Sequence, residues 1–393
     1  MKIAILVFGD LKSDPRVERE AQALTEAGYT VRIFALKRDE LPGLEQRNGF
    51  EILRCADFTT AGVKHPLRKW RQQRVRARDY AAALTSWCPA VIQACDADTL
   101  VIADRAATAL KVPFVFDAHE LFSDMLQASK WSGSWPVQAY WKRIEHRLIP
   151  KAARVLTVSE PRAEVLRQRY GVEPAIQLNV SSLMPLQVTG RLHRELELPA
   201  SEIIVLYQGG LGVGRDLPLL VEAFALGLPA HLVIQGYGVL EKDLKETIAR
   251  EGLEKQVHFM GRIPADQLHE YACDAAIGVV SCSDANLNNR LAAPNKLYGY
   301  MMAALPIIGS DVPAIRPLVE GERIGRCFKP GDLSSLREAL SEMIGMAQEA
   351  QADPTTNTPY AKMSARARQL AEQRYNWEAE KHILLDLYEE VLA

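Results

Sequence analysis

Four groups of residues in this chain have types and spacing that could do chemistry. Lys296 opens an apolar run, Ala293 to Pro306, that reads APNKLYGYMMAALP. Pro294 has the fixed φ favoured at the first position of a helix. The amides of Asn295 and Lys296 then fall where a helix cannot use its own donors. A lysine among such amides makes an anion site, because the helix dipole adds partial positive charge there. Two diphosphate oxygens would fit it; the same run also reads as an ordinary buried helix. His119 stands in Asp117-Ala118-His119-Glu120, directly after the apolar run Val112 to Phe116. It is a candidate catalytic group, or a ring that only hydrogen-bonds a neighbouring carbonyl. Arg215 closes a glycine-rich stretch that begins Gln208-Gly209-Gly210. Glycines let a backbone approach a phosphate closely, and Arg215 places a charge at the start of the next helix. The loop from Gly9 to Arg16 is the fourth group. There Asp14 and Arg16 either meet a ligand or serve as a helix cap and a solvated charge.

The elements that must carry these groups follow a repeating pattern. Ile3 to Phe8 is a continuous apolar run of the kind that forms a buried parallel strand. A helix begins near Pro15, capped by Ser13 or Asp14, places Val17, Ala21 and Leu24 on one face, and stops at Gly28. Val31 to Leu36 is the next strand. This βαβ opening predicts a doubly wound parallel sheet with its site at the strand carboxyl ends. Further strands are read at 90–94, 112–116, 155–158 and 175–178. After the loop NVSSLMPLQVTG the pattern restarts, with strands at 203–207, 232–235, 257–260, 276–280 and 306–308, and a helix from about Leu217 to Leu226. The α/β reading is therefore two doubly wound, Rossmann-like domains facing a cleft: residues 1–185, residues 186–372, and a terminal helix, 373–393, packing back on the first.

Composition bounds the function. The chain has 393 residues, 48% apolar and 24% charged, too many for one ordinary core. The opening MKIAILVFGD reads as a strand, not a leader peptide, and no apolar run approaches the ~18 residues that span a bilayer. Six scattered cysteines without C-x-x-C spacing suggest reduced thiols in a cytosolic protein and argue against a metal site. The first 185 residues carry a formal charge of +6 and the remainder −8, so one half is expected to face something anionic. Residues 64–78, KHPLRKWRQQRVRAR, hold seven basic residues and no acid. They fit either a solvated helix face or peripheral contact with an anionic membrane. Nucleic acid is a weaker candidate, since nothing else supplies a basic groove with stacking aromatics. The opening lacks G-x-G-x-x-G, which argues against a dinucleotide cofactor.

In order and spacing, DPRVEREAQALTEAGYTVRIFAL, FDAHE, ARVLTVSE, LYQGGLGVGRDLPLLVEAF, VHFMGRIP, APNKLYGYMMAALPII and YNWEAEKHILLDLYEEVL resemble glycosyltransferase family 4, retaining enzymes of the GT-B fold. The resemblance covers nearly the whole chain. It implies a nucleoside-diphosphate sugar, UDP-linked before GDP-linked, on the second domain and a glycan or lipid-linked acceptor on the first. It implies that Arg215 and Lys296, with Gly209, Gly210 and the amides of Asn295 to Leu297, neutralise the diphosphate without a metal or cofactor. Arg262 and Ile263 match the segment bordering the base. His119 matches a histidine that hydrogen-bonds the donor sugar. Gly9, Asp14, Arg16 and Glu120 fall on the acceptor side.

This chain departs from the family pattern at three positions. Leu291 and Gly299 occupy the places of two glutamates, the second of which holds the ribose, and Gly210 stands where many members have a first arginine. These departures leave open a second reading, a partner subunit that keeps the fold but has lost the chemistry. A GT-B sugar epimerase is a weaker third.

Overall fold

The computed structural model describes residues 1–11, 14–37, 40–57, 66–125, 134–353 and 357–393, with backbone alone at 56, 57, 66–76 and 134–136. The chain forms two compact units, one of residues 1–178 with 381–393 and the other of residues 179–380.

The first unit is built on eight strands: β1 (Lys2–Leu6), β2 (Thr30–Lys37), β3 (Leu44–Arg47), β4 (Phe50–Asp57), β5 (Val91–Cys95), β6 (Phe114–Ala118), β7 (Arg154–Thr157) and β8 (Pro174–Ile176). Their order across the sheet is β3-β4-β2-β1-β5-β6-β7-β8. All neighbours are parallel except β3 and β4. Ile3, Ala4, Ile5 and Leu6 are fully buried, as a strand covered on both faces requires. Strand order reverses at β1, which pairs β2 on one side and β5 on the other. That reversal opens a crevice at the strand carboxyl ends.

The second unit holds β9 (Ile204–Gln208), β10 (His231–Gln235), β11 (Val257–Gly261), β12 (Ile277–Val280), β13 (Ile307–Ser310) and β14 (Gly325–Phe328), in the order β11-β10-β9-β12-β13-β14. Every neighbouring pair is parallel. Its core packs Tyr207, Leu220, Phe224 and Ile234 against Leu340 and Met343 of the helix Leu333–Ala352. Here the order reverses at β9, between β10 and β12.

Most predicted strands lie within one or two residues of those observed. Three features differ. The sequence reading places no strand at 325–328, where β14 lies. The apolar-run reading passes over the hairpin β3–β4, which turns on Asn48-Gly49, both at positive φ. β3 reads LEQR and lies half in solvent, so no apolar run marks it. Pro294, expected at the first helical position, is instead the N-cap of the helix Asn295–Met302, with ψ 136°. Of the basic stretch 64–78, residues 64 and 65 lie outside the described residues, and 66–76 are described only as backbone of the helix Pro66–Trp87. No helix among the described residues is long and apolar enough to cross a membrane.

Candidate active site

In the first unit, the helix Pro15–Glu26 and strands β5 and β6 assemble a buried charged cluster. Asp14 caps that helix by accepting from the Val17 amide at 3.4 Å. Pro15 pre-sets the first turn, and Arg16 then enters the interior instead of solvent. Only 5% exposed, Arg16 donates to Glu20 at 2.8 Å and to Asp117 at 2.7 Å. This corrects the reading of Arg16 as a solvated loop charge. Two buried carboxylates demand a cation beside them, because an unpaired charge in the core is costly.

Asp117, the fourth residue of β6, also lies 2.7 Å from Nε2 of His119. Burial acts to raise the Asp117 carboxyl, but Arg16 and His119 outweigh it and hold it below its ordinary value. For His119, burial and Arg16 act to lower the imidazole. The carboxylates of Asp117 and Asp96 and the hydrogen bond to Asp117 win, pushing it up to about 9. The ring is therefore an imidazolium at neutral pH. Its Nε2–H is spent on Asp117; Nδ1 is 3.8 Å from Asp96, beyond hydrogen-bond reach, and can serve another acceptor. The Asp96 carboxylate instead accepts the amides of His119 and Glu120 at 3.0 and 3.1 Å, fixing the turn after β6.

His119 borders a cavity of about 280 Å³ at the reversal point of this sheet. Gly9, Asp14, Asp10, Asp96 and Asp98 line it with the imidazole. Burial, then the neighbouring Asp96, pushes the Asp98 carboxyl up to about 8. Glu120 is placed differently: its carboxylate pairs with Arg162 at 2.9 Å.

In the second unit, the carboxyl end of β9 and the helix Asn295–Met302 converge. Gly209 takes φ +137° and donates to Gln235 at 2.9 Å. Tyr207 donates to the Gly210 carbonyl at 3.0 Å. The Lys296 Nζ lies 3.4 Å from the Tyr207 ring centroid, is buried, and has no hydrogen-bond partner among the described residues. Burial, then Arg215, lowers this ammonium well below the ordinary lysine value. A side-chain carbon on Gly209 would come within 3.1 Å of Nζ, so glycine keeps the backbone close to the cation. Arg215 donates to the Cys282 sulfur at 3.5 Å and acts electrostatically on both Cys282 and Lys296. Leu297 departs from its expected role. Its amide turns back on the Pro294 carbonyl at 3.0 Å, and its side chain is fully buried. The first-turn donors left for an anion are those of Asn295 and Lys296. Arg262 stands after the edge strand β11, exposed, 5.0 Å from the Tyr237 ring, and Ile263 is half-buried beside it.

Reading the sequence alone passes over Glu20, Gln93, Asp96, Tyr207 and Tyr388. A polar residue in the middle of VIQAC is a usable signal for Gln93, and a glutamate four residues beyond Arg16 is one for Glu20. Cys95, Asp117 and His119 bring ligand atoms within 4.8 Å of one another. The Arg16 guanidinium bonded to Asp117 opposes a further cation there, and burial holds the Cys95 thiol protonated.

Residues 16–177 match the family model described as Glycosyltransferase Family 4, and residues 202–345 match one described as Glycosyl transferases group 1. A sequence relative is the amylovoran biosynthesis glycosyltransferase AmsK of Erwinia amylovora, 26% identical over 205 residues. That match takes in 52% of this chain and 46% of the relative, so the chain spans about half the length of the relative it matches. Among solved structures, sucrose-phosphate synthase from Thermosynechococcus elongatus superposes with a TM-score of 0.82 at 19% identity, covering 100% of this chain and 99% of that one. HepE of Anabaena, in complex with UDP, gives 0.70 at 15% identity, covering 99% and 100%. These likenesses establish the GT-B fold, and the two family models match the chain's first and second units in order.

Proposed function

We propose that the protein is a retaining glycosyltransferase acting in cell-envelope glycan synthesis. It moves a sugar from a nucleoside-diphosphate donor, UDP-linked before GDP-linked, to a glycan or lipid-linked acceptor. The observation that carries this reading is the buried Lys296 ammonium, which has no hydrogen-bond partner among the described residues and lies against a glycine-rich turn. Such a cation is costly unless an anion completes it. A diphosphate supplies that anion, with Arg215 and the amides of Asn295 and Lys296 as further donors. As the bond from the anomeric carbon to the diphosphate breaks, these groups stabilise the departing charge in place of a metal. Arg262 and Ile263 border the base. The acceptor hydroxyl forms the new bond, and its proton leaves on the departing phosphate.

On the first unit, the carboxylate-lined cavity suits the hydroxyls of a sugar ring and disfavours a phosphate. Nδ1–H of the His119 imidazolium is the donor available to a sugar oxygen. Gly9 and Asp14 border the same space, while Arg16 and Glu120 act from behind it. Two relatives support the reading: AmsK is named for amylovoran biosynthesis, and HepE was solved with UDP and glucose. The protein works in the cytoplasm, with peripheral contact to the inner membrane face through residues 64–78.

Calorimetry with UDP, GDP and ADP against the wild type and Lys296→Ala tests the proposal. UDP binding that is lost in the variant supports it; equal binding by both proteins overturns the site. Leu291, buried in the core, and Gly299 favour the second reading, a non-catalytic partner. Absence of binding by any nucleotide sugar would select it.

A further inference from the structure

The helix Trp377–Leu392 returns a single hydroxyl to the interior of the first unit. Tyr388 is fully buried, and its phenol donates to Oε1 of Gln93 at 2.6 Å. The Gln93 amide nitrogen donates in turn to Glu20 at 2.8 Å and to Asp117 at 3.2 Å. The Asp117 oxygen that accepts from Gln93 is the one 2.7 Å from the His119 ring. All four linking groups, Tyr388, Gln93, Glu20 and Asp117, have no solvent exposure.

This chain of bonds has one consistent polarity. Arg16 and His119 hold the Asp117 carboxyl ionised, and an ionised carboxylate only accepts, so the amide must turn its nitrogen toward Asp117 and the neighbouring Glu20. Its oxygen is then left facing away and needs a donor, which the Tyr388 hydroxyl supplies. Reversing the amide would set its oxygen against two carboxylates. A phenylalanine would fill the same space, so packing alone does not account for the hydroxyl.

We infer that Tyr388 is a positioning residue: acting through Gln93, it fixes the Asp117 carboxylate and thereby the orientation of the His119 imidazole. The inference rests on the reading of His119 as the group that meets substrate. The imidazole faces Asp117 near the end of β6, Arg16 and Glu20 of the first helix, Cys95 at the end of β5, and Asp96 and Asp98 at the start of the helix Ala97–Leu110. Of these, Glu20, Cys95 and Asp117 all accept from the amide that Tyr388 orients, and Asp117 is the one of the three that also bonds the imidazole.

Three proteins, Tyr388→Phe, Gln93→Met and the double variant, test this against the wild type. Tyr388→Phe is expected to lower kcat about tenfold, the lower end of the scale for losing an outer-shell partner of a metal-bound histidine, with the donor KM unchanged. The His119 ring signals in a proton–nitrogen spectrum, assigned by their loss in His119→Gln, should move with it. In the Gln93→Met background, adding Tyr388→Phe should cost nothing more, because the two residues act in series. Ring signals at their wild-type positions in Tyr388→Phe, or full additivity in the cycle, would overturn the inference and leave Tyr388 a packing residue. If Tyr388→Phe does not fold, the double variant, which replaces both partners by apolar groups, still reads the ring signals. Full activity of His119→Gln would sink the underlying reading of the site; an inactive His119→Gln beside an unaltered Tyr388→Phe would sink the inference alone.

Discussion

The Lys296 ammonium lies 3.4 Å above the centroid of the Tyr207 ring and has no hydrogen-bond partner among the described residues. The ring face gives partial compensation, on the order of 2 kcal/mol at a dry site, against a desolvation cost that is larger for an unpaired charge. Lys296→Met should therefore leave the melting temperature of the free protein equal or higher. The same variant should weaken UDP binding by roughly a hundredfold or more, the scale on which lost contacts to a buried charge are felt. Thermal denaturation paired with calorimetry checks both halves; a clear loss of stability in Lys296→Met would mean that the ammonium is already satisfied.

The lowered lysine value carries a second consequence. Burial, then Arg215, disfavours the proton on Lys296 in the free protein, and a bound diphosphate favours it. Donor binding should thus take up a proton at pH values between the two states. Stability of the free protein should rise with pH across the same region, because the unfolded chain binds the proton more tightly. Calorimetric enthalpies in buffers of different ionisation heat should differ for the wild type and coincide for Lys296→Met.

For His119 the sign is opposite. Burial and Arg16 depress the imidazole, yet Asp117 and Asp96 prevail and raise it to about 9. Its contribution to stability is complete below the unfolded value near 6.5 and lost as pH rises through about 9. If the imidazolium also holds the sugar, kcat should fall along the same alkaline limb. His119→Gln should lower kcat and flatten that limb. A limb unchanged in the variant would assign it to another group.

Two glycines should respond in opposite ways. A side-chain carbon at Gly299 meets nothing within 4 Å, so Gly299→Ala should stabilise its helix by about 1 kcal/mol, the helix-propensity difference. Gly299→Glu should fold normally and, on the proposed reading, tighten donor binding through the ribose. At Gly236, φ is +155° and an added carbon would lie 1.9 Å from the Gly209 carbonyl oxygen. Gly236→Ala should cost several kcal/mol, as a backbone clash at strained φ does. Melting temperatures of the three variants decide.

Much of the architecture was legible because buried parallel strands leave uninterrupted apolar runs, as Ile3 to Leu6 and Ile204 to Tyr207 do. β3 was not, because an exposed edge strand carries polar residues; the Asn48-Gly49 pair beside it was the usable sign. Lys296 could be singled out because a helix start exposes donors in a fixed way. Arg16 could be singled out but not understood. Its partners Glu20 and Asp117 come from four and 101 residues away, and only the folded sheet brings them together. Gln93 and Tyr388 share no local pattern at all.

The bond between those last two residues spans 295 positions. A growing polypeptide therefore leaves the amide of Gln93 without its donor, and the space that the buried Leu384 and Leu387 will fill open, until almost 300 further residues have been synthesised. The first unit, although its sheet ends before residue 180, should mature only after the second has emerged from the ribosome. Fragments ending shortly after β8 should accordingly show up as chaperone clients and protease substrates.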